Sequence, residues 1–297
     1  MTRVGFVGLG RMGRPMASNL QRKGFALTVY DVKPDAVAAL TAIGAAARSS
    51  VAELARECEV VITMLPGSPE VEDAVLGPQG AIACGRRGAL IMDMSTVDPR
   101  TTDRIAAEAA ERGMSVVDAP VGRLASHADR GESLFMVGAS DDDLRRVMPL
   151  LQAMGTTIHH CGGVGTGIRT KLVNNCLAIV SCQLNAEALA LAQRFGLSLP
   201  KVLEVIHGTT ATNGQLKIAW PTKVLADDVS PGFTIDLAHK DLTLILSAAS
   251  ADRVPMPVGA VARESFSLAR ASGYGQKDFS AMVDCLCELA GIQKPRL

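Results

Sequence analysis

Lys171, Asn174 and Asn175 stand three and four residues apart in the run Gly165-Thr-Gly-Ile-Arg-Thr-Lys-Leu-Val-Asn-Asn. On a helix this spacing projects an ammonium and two carboxamides from one face. An ammonium can give its proton to a carbonyl oxygen that is gaining negative charge, and the amides can hold the molecule that carries it. Lysine and asparagine also share many ordinary solvated helix faces, so the cluster takes its meaning from its surroundings. Two glycines lead into a run that contains neither Gly nor Pro as far as Phe195. That is the pattern of a loop entering a long helix, one we expect to be buried on most sides.

A second constellation opens the chain. Val4-Gly-Phe-Val-Gly8 is a short apolar run ending in glycine, followed by Leu9-Gly10-Arg11-Met12-Gly13 and an amphipathic stretch carrying Met16 and Leu20. This is G-x-G-x-x-G between a strand and a helix, the context that lifts the motif above chance. Gly8 serves the tight turn, Gly10 lets the backbone approach a pyrophosphate, and Gly13 lets helix and strand pack closely. The helix N-terminus offers N–H groups to phosphate. Arg11 and Met12 fall inside the same loop and join the candidate cofactor-binding set. A second strand, 26–31, ends on Asp31, where a carboxylate can accept hydrogen bonds from both ribose hydroxyls and would repel a 2′-phosphate. NAD is therefore favoured over NADP, a preference that Lys33 weakens slightly.

The elements that must position these groups follow. Further strands are expected at 59–65, 89–93 and 115–118 with helices between them, which implies a parallel sheet covered on both faces. Ligands of such sheets lie beyond the carboxyl ends of the strands. Leu65, Thr96 and the segment Asp118-Ala-Pro-Val-Gly122-Arg123 are the candidates there. Beyond Gly165 the strand signals stop, and helices are expected near 200–207, 215–227, 236–252, 258–272 and 278–290. The fold class is α/β, with a Rossmann-type parallel-sheet domain over 1–163 and an all-helical domain over 164–297.

Composition narrows the functions. Thirty basic and thirty acidic residues in 297 cancel, so no global field draws the chain to nucleic acid or an anionic membrane. Seven cysteines without a C-x-x-C pair argue for a reducing compartment. The five histidines show no metal-ligand spacing, and no metal is expected. No leader is visible, and no apolar run is expected to span a membrane. We expect a soluble, cytoplasmic protein.

Four motifs then agree: the glycine loop, D-A-P-V at 118–121, G-x-G-x-x-x-K-x-x-N-N at 165–175, and K-D-L at 240–242. With these in this order the chain resembles the β-hydroxyacid dehydrogenase family over essentially its whole length. The resemblance implies NAD-dependent oxidoreduction of a small anionic aldehyde or hydroxy acid, with assembly as a homodimer or homotetramer. It implies Lys171 as the catalytic acid/base, Asn175 and Asn174 as substrate-positioning groups together with Ala178, and Lys240 over the nicotinamide. One departure stands out. Where most of the family reads D-A-P-V-S-G-G, this chain has Gly122, Arg123 and Leu124. A guanidinium in place of a small-residue turn suits a bulkier, permanently charged oxyanion such as a sulfonate. The segment is similar to the sulfolactaldehyde-reducing branch of the family, which implies NADH-dependent reduction of 3-sulfolactaldehyde with Gly122 and Arg123 holding the sulfonate. Leu124 departs from that branch. A carboxylate semialdehyde (succinic, tartronic or methylmalonic) stays open as substrate, and a non-catalytic NADH-binding protein is the remote alternative.

Overall fold

A computed structural model describes residues 2–297. Six short strands form the parallel part of one sheet: β1 (Arg3–Val7), β2 (Ala26–Tyr30), β3 (Ala46–Ala47), β4 (Val60–Thr63), β5 (Leu90–Asp93) and β6 (Ser115–Asp118). β7 (Val121–Gly122), β8 (Ser133–Gly138) and β9 (Gly155–Gly162) complete it. The order is β3-β2-β1-β4-β5-β6-β8-β7, with β9 also paired to β8. β8 runs antiparallel to β6 and β7 and parallel to β9.

The apolar runs that signalled these strands are buried on both faces. Val60, Ile62, Leu90, Met92 and Val117 pack in one core with Met16 and Leu20 of the helix Gly13–Arg22. The alternate residues Val61, Ile91 and Val116 pack on the other face with Leu54, Val71 and Ile105. Side chains two apart share a face, so a continuous apolar run is what a sheet covered twice requires.

One compact unit ends at Lys171 and the other begins at Leu172. The division at 163/164 expected from sequence falls ahead of the helix Thr166–Arg194, whereas the compact units part inside it. The second unit is helical around a core that includes Ile179, Leu189, Leu242, Phe266 and the fully buried Trp220.

Three expectations need correction. The stretch 215–227 is not one helix: a π turn at Gln215–Ala219 gives way to 3₁₀ turns at Trp220–Thr222 and Val224–Ala226. Pro221 has no N–H to continue the ladder, and Asp227 ends the segment with a left-handed backbone, φ 60°. The helix Thr166–Arg194 is not buried on most sides, since Val173, Leu177, Leu184, Leu191 and Phe195 are each more than half exposed. They lie four or seven residues apart, on one face. That helix is also long and apolar enough to cross a membrane by length and composition, contrary to the sequence expectation. It packs Leu172, Ile179, Cys182, Ala186 and Leu189 into the core of the second unit, as a core helix does.

Candidate active site

The glycine loop leaves β1 at Gly8, whose φ of +94° only glycine adopts without strain. A Cβ there would fall 2.3 Å from the Met64 carbonyl oxygen, and one on Gly13 would fall 1.9 Å from the Gly8 carbonyl oxygen. Both glycines are therefore dictated by the fold itself. Gly10 is different, because a Cβ on it would meet nothing within 4 Å. The room beside it leaves space for a bound group to approach the backbone. The helix Gly13–Arg22 starts without a side-chain cap, so the positive end of its dipole is available to attract an anion. Arg11 is exposed at the loop surface, and Met12 rests partly buried on the core.

Asp31, just past β2, closes the loop from the other side. Its Oδ2 accepts from the Leu9 amide at 2.6 Å and its Oδ1 from the Lys33 amide at 2.7 Å. An open cradle, an uncapped helix start and a fixed carboxylate at the end of β2 fit the pyrophosphate and ribose of a dinucleotide.

Farther along the sheet, two buried aspartates end neighbouring strands, with Asp93 of β5 in register with Asp118 of β6. Asp93 Oδ1 accepts from the Thr63 hydroxyl at 2.7 Å and the Ser95 amide at 3.1 Å. The Ser95 hydroxyl accepts from the Leu65 amide at 2.9 Å. Both strand-end loops, with Leu65 and the half-buried Thr96, are thus braced from below.

Asp118 does the same for the lysine helix. Its Oδ1 accepts from the Gly165 amide at 2.6 Å and its Oδ2 from the Ile168 amide at 2.7 Å. Burial pushes this carboxyl up to about 6, against the opposite pull of those amides and with some help from the charge of Asp93. One turn on, Lys171 Nζ donates to the Val121 carbonyl oxygen at 2.8 Å. Sequence reasoning marked Asp118 only as a strand-end residue. Its role as a clamp left no local signal, since its partners lie 47 and 50 residues away.

Gly122 lies in β7, paired with Leu134 of β8. Arg123 follows with φ 71°, a left-handed backbone uncommon for a side-chain-bearing residue. Its Nη1 donates to the Glu132 carbonyl oxygen at 2.7 Å and to the Thr156 hydroxyl at 3.4 Å, and its Nη2 to the Thr157 hydroxyl at 3.1 Å. Arg123 thus holds a backbone conformation that favours glycine and is pinned by three oxygens of its own unit.

The remaining expected residues belong to the second unit. Asn174 is exposed and donates to the Asn175 Oδ1 at 3.2 Å. Asn175 is buried, and its Nδ2 donates to Asp241 Oδ2 at 2.7 Å. The Lys240 ammonium lies 3.1 Å from Asp241 Oδ1, near enough to pair by charge although that oxygen is not aligned as a hydrogen-bond acceptor. The Ala178 carbonyl accepts from Gln215 Nε2, and Gln215 Oε1 in turn accepts from the Trp220 indole at 3.0 Å. Gln215, Trp220 and Asp241 thus brace this half of the set.

Comparison with known proteins gives the family. Residues 3–163 match the NAD binding domain of 6-phosphogluconate dehydrogenase, and residues 165–286 match the NAD-binding domain of NADP-dependent 3-hydroxyisobutyrate dehydrogenase. The chain belongs to the β-hydroxyacid dehydrogenase family. It is 41% identical to the 3-sulfolactaldehyde reductase of Escherichia coli (strain K12) over 98% of both chains. It is 36% identical to the 2-(hydroxymethyl)glutarate dehydrogenase of Eubacterium barkeri over 98% of this chain and 96% of that one. The Mycobacterium tuberculosis 3-hydroxyisobutyrate dehydrogenase, solved with L-serine, superposes with a TM-score of 0.90 at 34% identity, covering 96% of this chain and 99% of the other. As a β-hydroxyacid dehydrogenase the chain is an NAD-dependent oxidoreductase.

Proposed function

We propose that this β-hydroxyacid dehydrogenase reduces 3-sulfolactaldehyde to 2,3-dihydroxypropane-1-sulfonate, with Arg123 as sulfonate anchor and Lys171 as proton donor. The observation that carries the reading is Arg123. Its left-handed backbone costs about 1–2 kcal/mol relative to glycine, and the side chain is exposed, so packing gives no reason for an arginine there. Three acceptors orient the guanidinium and leave Nε–H and one hydrogen of Nη2 directed away from them. A strained, pre-oriented cation fits the binding of an oxyanion. The similarity to the Escherichia coli 3-sulfolactaldehyde reductase supports it.

When bound, NADH supplies the hydride that reaches the aldehyde carbon. Lys171 gives its proton to the carbonyl oxygen as negative charge develops there, and regains one from solvent. Gly122 and Arg123 hold the sulfonate, and Asn174 and Asn175 with Ala178 restrict the rest of the substrate. Gly8, Gly10, Arg11, Met12, Gly13 and Asp31 hold the cofactor, with Leu65, Thr96 and Lys240 flanking it. The exposed apolar face from Val173 to Phe195 supports assembly as a homodimer or homotetramer. Seven free cysteines support residence in the reducing cytoplasm.

A carboxylate semialdehyde is the second reading. The two donors that Arg123 keeps match the two oxygens of a carboxylate. NADH oxidation by the purified protein, followed in parallel with sulfolactaldehyde, succinic semialdehyde and tartronate semialdehyde, separates the two. A hundredfold preference in kcat/KM for the sulfonate, about 2.7 kcal/mol of discrimination, supports the first. Equal or better turnover of a carboxylate substrate overturns it.

A further inference from the structure

Two stretches far apart in sequence are bonded in step. Asp118 Oδ2 meets the Ile168 amide and the Val121 carbonyl meets Lys171 Nζ, each pair 50 residues apart. A third bond, from the Gly165 amide to Asp118 Oδ1, ties down the residue just ahead of the helix. A carboxylate accepting two backbone amides at a helix start supplies the cap that the helix's own side chains would otherwise provide, and it favours the positive end of the dipole. The fit around it is tight. A Cβ on Gly138 would fall 2.3 Å from Asp118 Oδ1, and one on Gly167 would fall 2.7 Å from the Asp118 carbonyl oxygen and 2.3 Å from that of Met136. Helix and strand therefore meet backbone to backbone, and neither can slide or turn without breaking one of the three bonds.

We propose that Asp118 is the positioning residue of this site, fixing the rotation and register of the helix Thr166–Arg194 so that the Lys171 ammonium is held at the Val121 carbonyl, where the substrate oxygen meets it. The inference rests on Lys171 being the proton donor. The lysine side chain has four rotatable bonds, and placing its Cα removes only part of that freedom. Asp118 sets the Cα position and the Val121 carbonyl sets the tip. The charged group beside Asp118 is Asp93 on the neighbouring strand; on the helix, Lys171 reaches the Val121 carbonyl. Arg169 is itself paired with Asp103 at 2.7 Å, and Gly138, packed against Asp118 from β8, brings no charge.

Asp118→Asn keeps the shape but presents an NH₂ where one amide needs an acceptor. We expect kcat with sulfolactaldehyde to fall 30- to 100-fold, with NADH affinity, read by fluorescence titration, unchanged within about twofold. The comparison that a merely structural role would not produce is a double-mutant cycle with Lys171→Ala. In the Lys171→Ala background Asp118→Asn should cost less than threefold of the residual rate, because there is no ammonium left to misplace. Hydrogen exchange at Gly165 and Ile168, which needs no substrate, should accelerate in Asp118→Asn while the strand amides of β1 and β4 stay protected. An equal loss in both backgrounds, or a kcat within threefold of the native value, overturns the proposal. Full activity of Lys171→Ala alone overturns the proton-donor reading instead, and the positioning role with it. If Asp118→Asn does not fold, Asp118→Ser, which can accept one of the two amides, takes its place in the same cycle with the same deciding outcomes.

Discussion

Arg123 Nη2 donates to the Thr157 hydroxyl at 3.1 Å, tying a left-handed residue of the β7 end to strand β9. The opposing magnitudes make Arg123→Gly informative. Relief of the backbone adds about 1–2 kcal/mol, while the lost bonds lie in an exposed place where each contributes about 0.5–1.5 kcal/mol. With three bonds lost, stability should fall by roughly 0–3 kcal/mol, measured by urea denaturation. The kcat/KM for the anionic aldehyde should fall about 10- to 100-fold, the size of a lost charged hydrogen bond. A large loss of stability with unchanged kcat/KM would assign the arginine to the loop and not to the substrate.

Gly10 and Gly13 sit three residues apart and should fail in opposite ways. In Gly13→Ala the new Cβ meets a backbone oxygen that cannot retreat, so the cost should be about 1–3 kcal/mol, visible as a lower Tm without cofactor. In Gly10→Ala the Cβ enters open space. Tm without cofactor should hold within a degree or two, while the Kd for NADH rises at least tenfold.

The pH dependence of stability carries the signature of Asp118. Its folded value of about 6 lies above the ordinary 3.8, so between about pH 4 and 6 the folded protein keeps a proton that the unfolded chain has released. Stability due to this group therefore falls as pH rises through that window, and is level on either side. Glu57, Glu72 and Glu132 are shifted downward by their arginine and hydroxyl partners and act with the opposite sign. Their contributions cancel when the native protein is compared with Asp118→Asn. The difference in unfolding free energy between the two should shrink from pH 4 to 6 and stay constant from 6 to 8.

Asn175→Ala would leave Asp241, buried and next to Lys240, without its amide donor. A cost of about 1–3 kcal/mol follows from orphaning a buried acceptor. Asn175→Ser, which can still donate, should recover part of the stability. Thermal unfolding of the two variants checks the order, and equal Tm values would show that Asp241 is satisfied without Asn175.

Local patterns in the chain carried much of this architecture. The glycine loop and Asp31 were legible because strand, turn, helix and strand follow one another within about thirty residues of a βαβ unit. That Lys171, Asn174 and Asn175 share one helix was legible because the run around them lacks Gly and Pro. β3 has only two residues, and β9 carries polar and partly exposed side chains, so neither had an apolar pattern to announce it. Arg123 could be read as a departure in a motif, but its backbone conformation and its bonds to Glu132, Thr156 and Thr157 come from the folding together of three separate segments. Asp118 shows the same limit more sharply. An aspartate closing an apolar strand looks like a strand end until the amides that need it are brought across from 47 and 50 residues away.

The pairing of 118–121 with 168–171 has a consequence for how such a protein can change. Everything between those two short stretches, including Gly122, Arg123 and the short helix Ala125–Asp129, is a closed excursion whose ends are pinned at the same place. Residues in its exposed turn can be exchanged, lengthened or shortened while the lysine stays where it is. Under the roles proposed for Arg123 and Lys171, a lineage can thus rewrite which anion it accepts in the 122–132 turn without reinventing its proton transfer, and related enzymes with different substrates are the expected product.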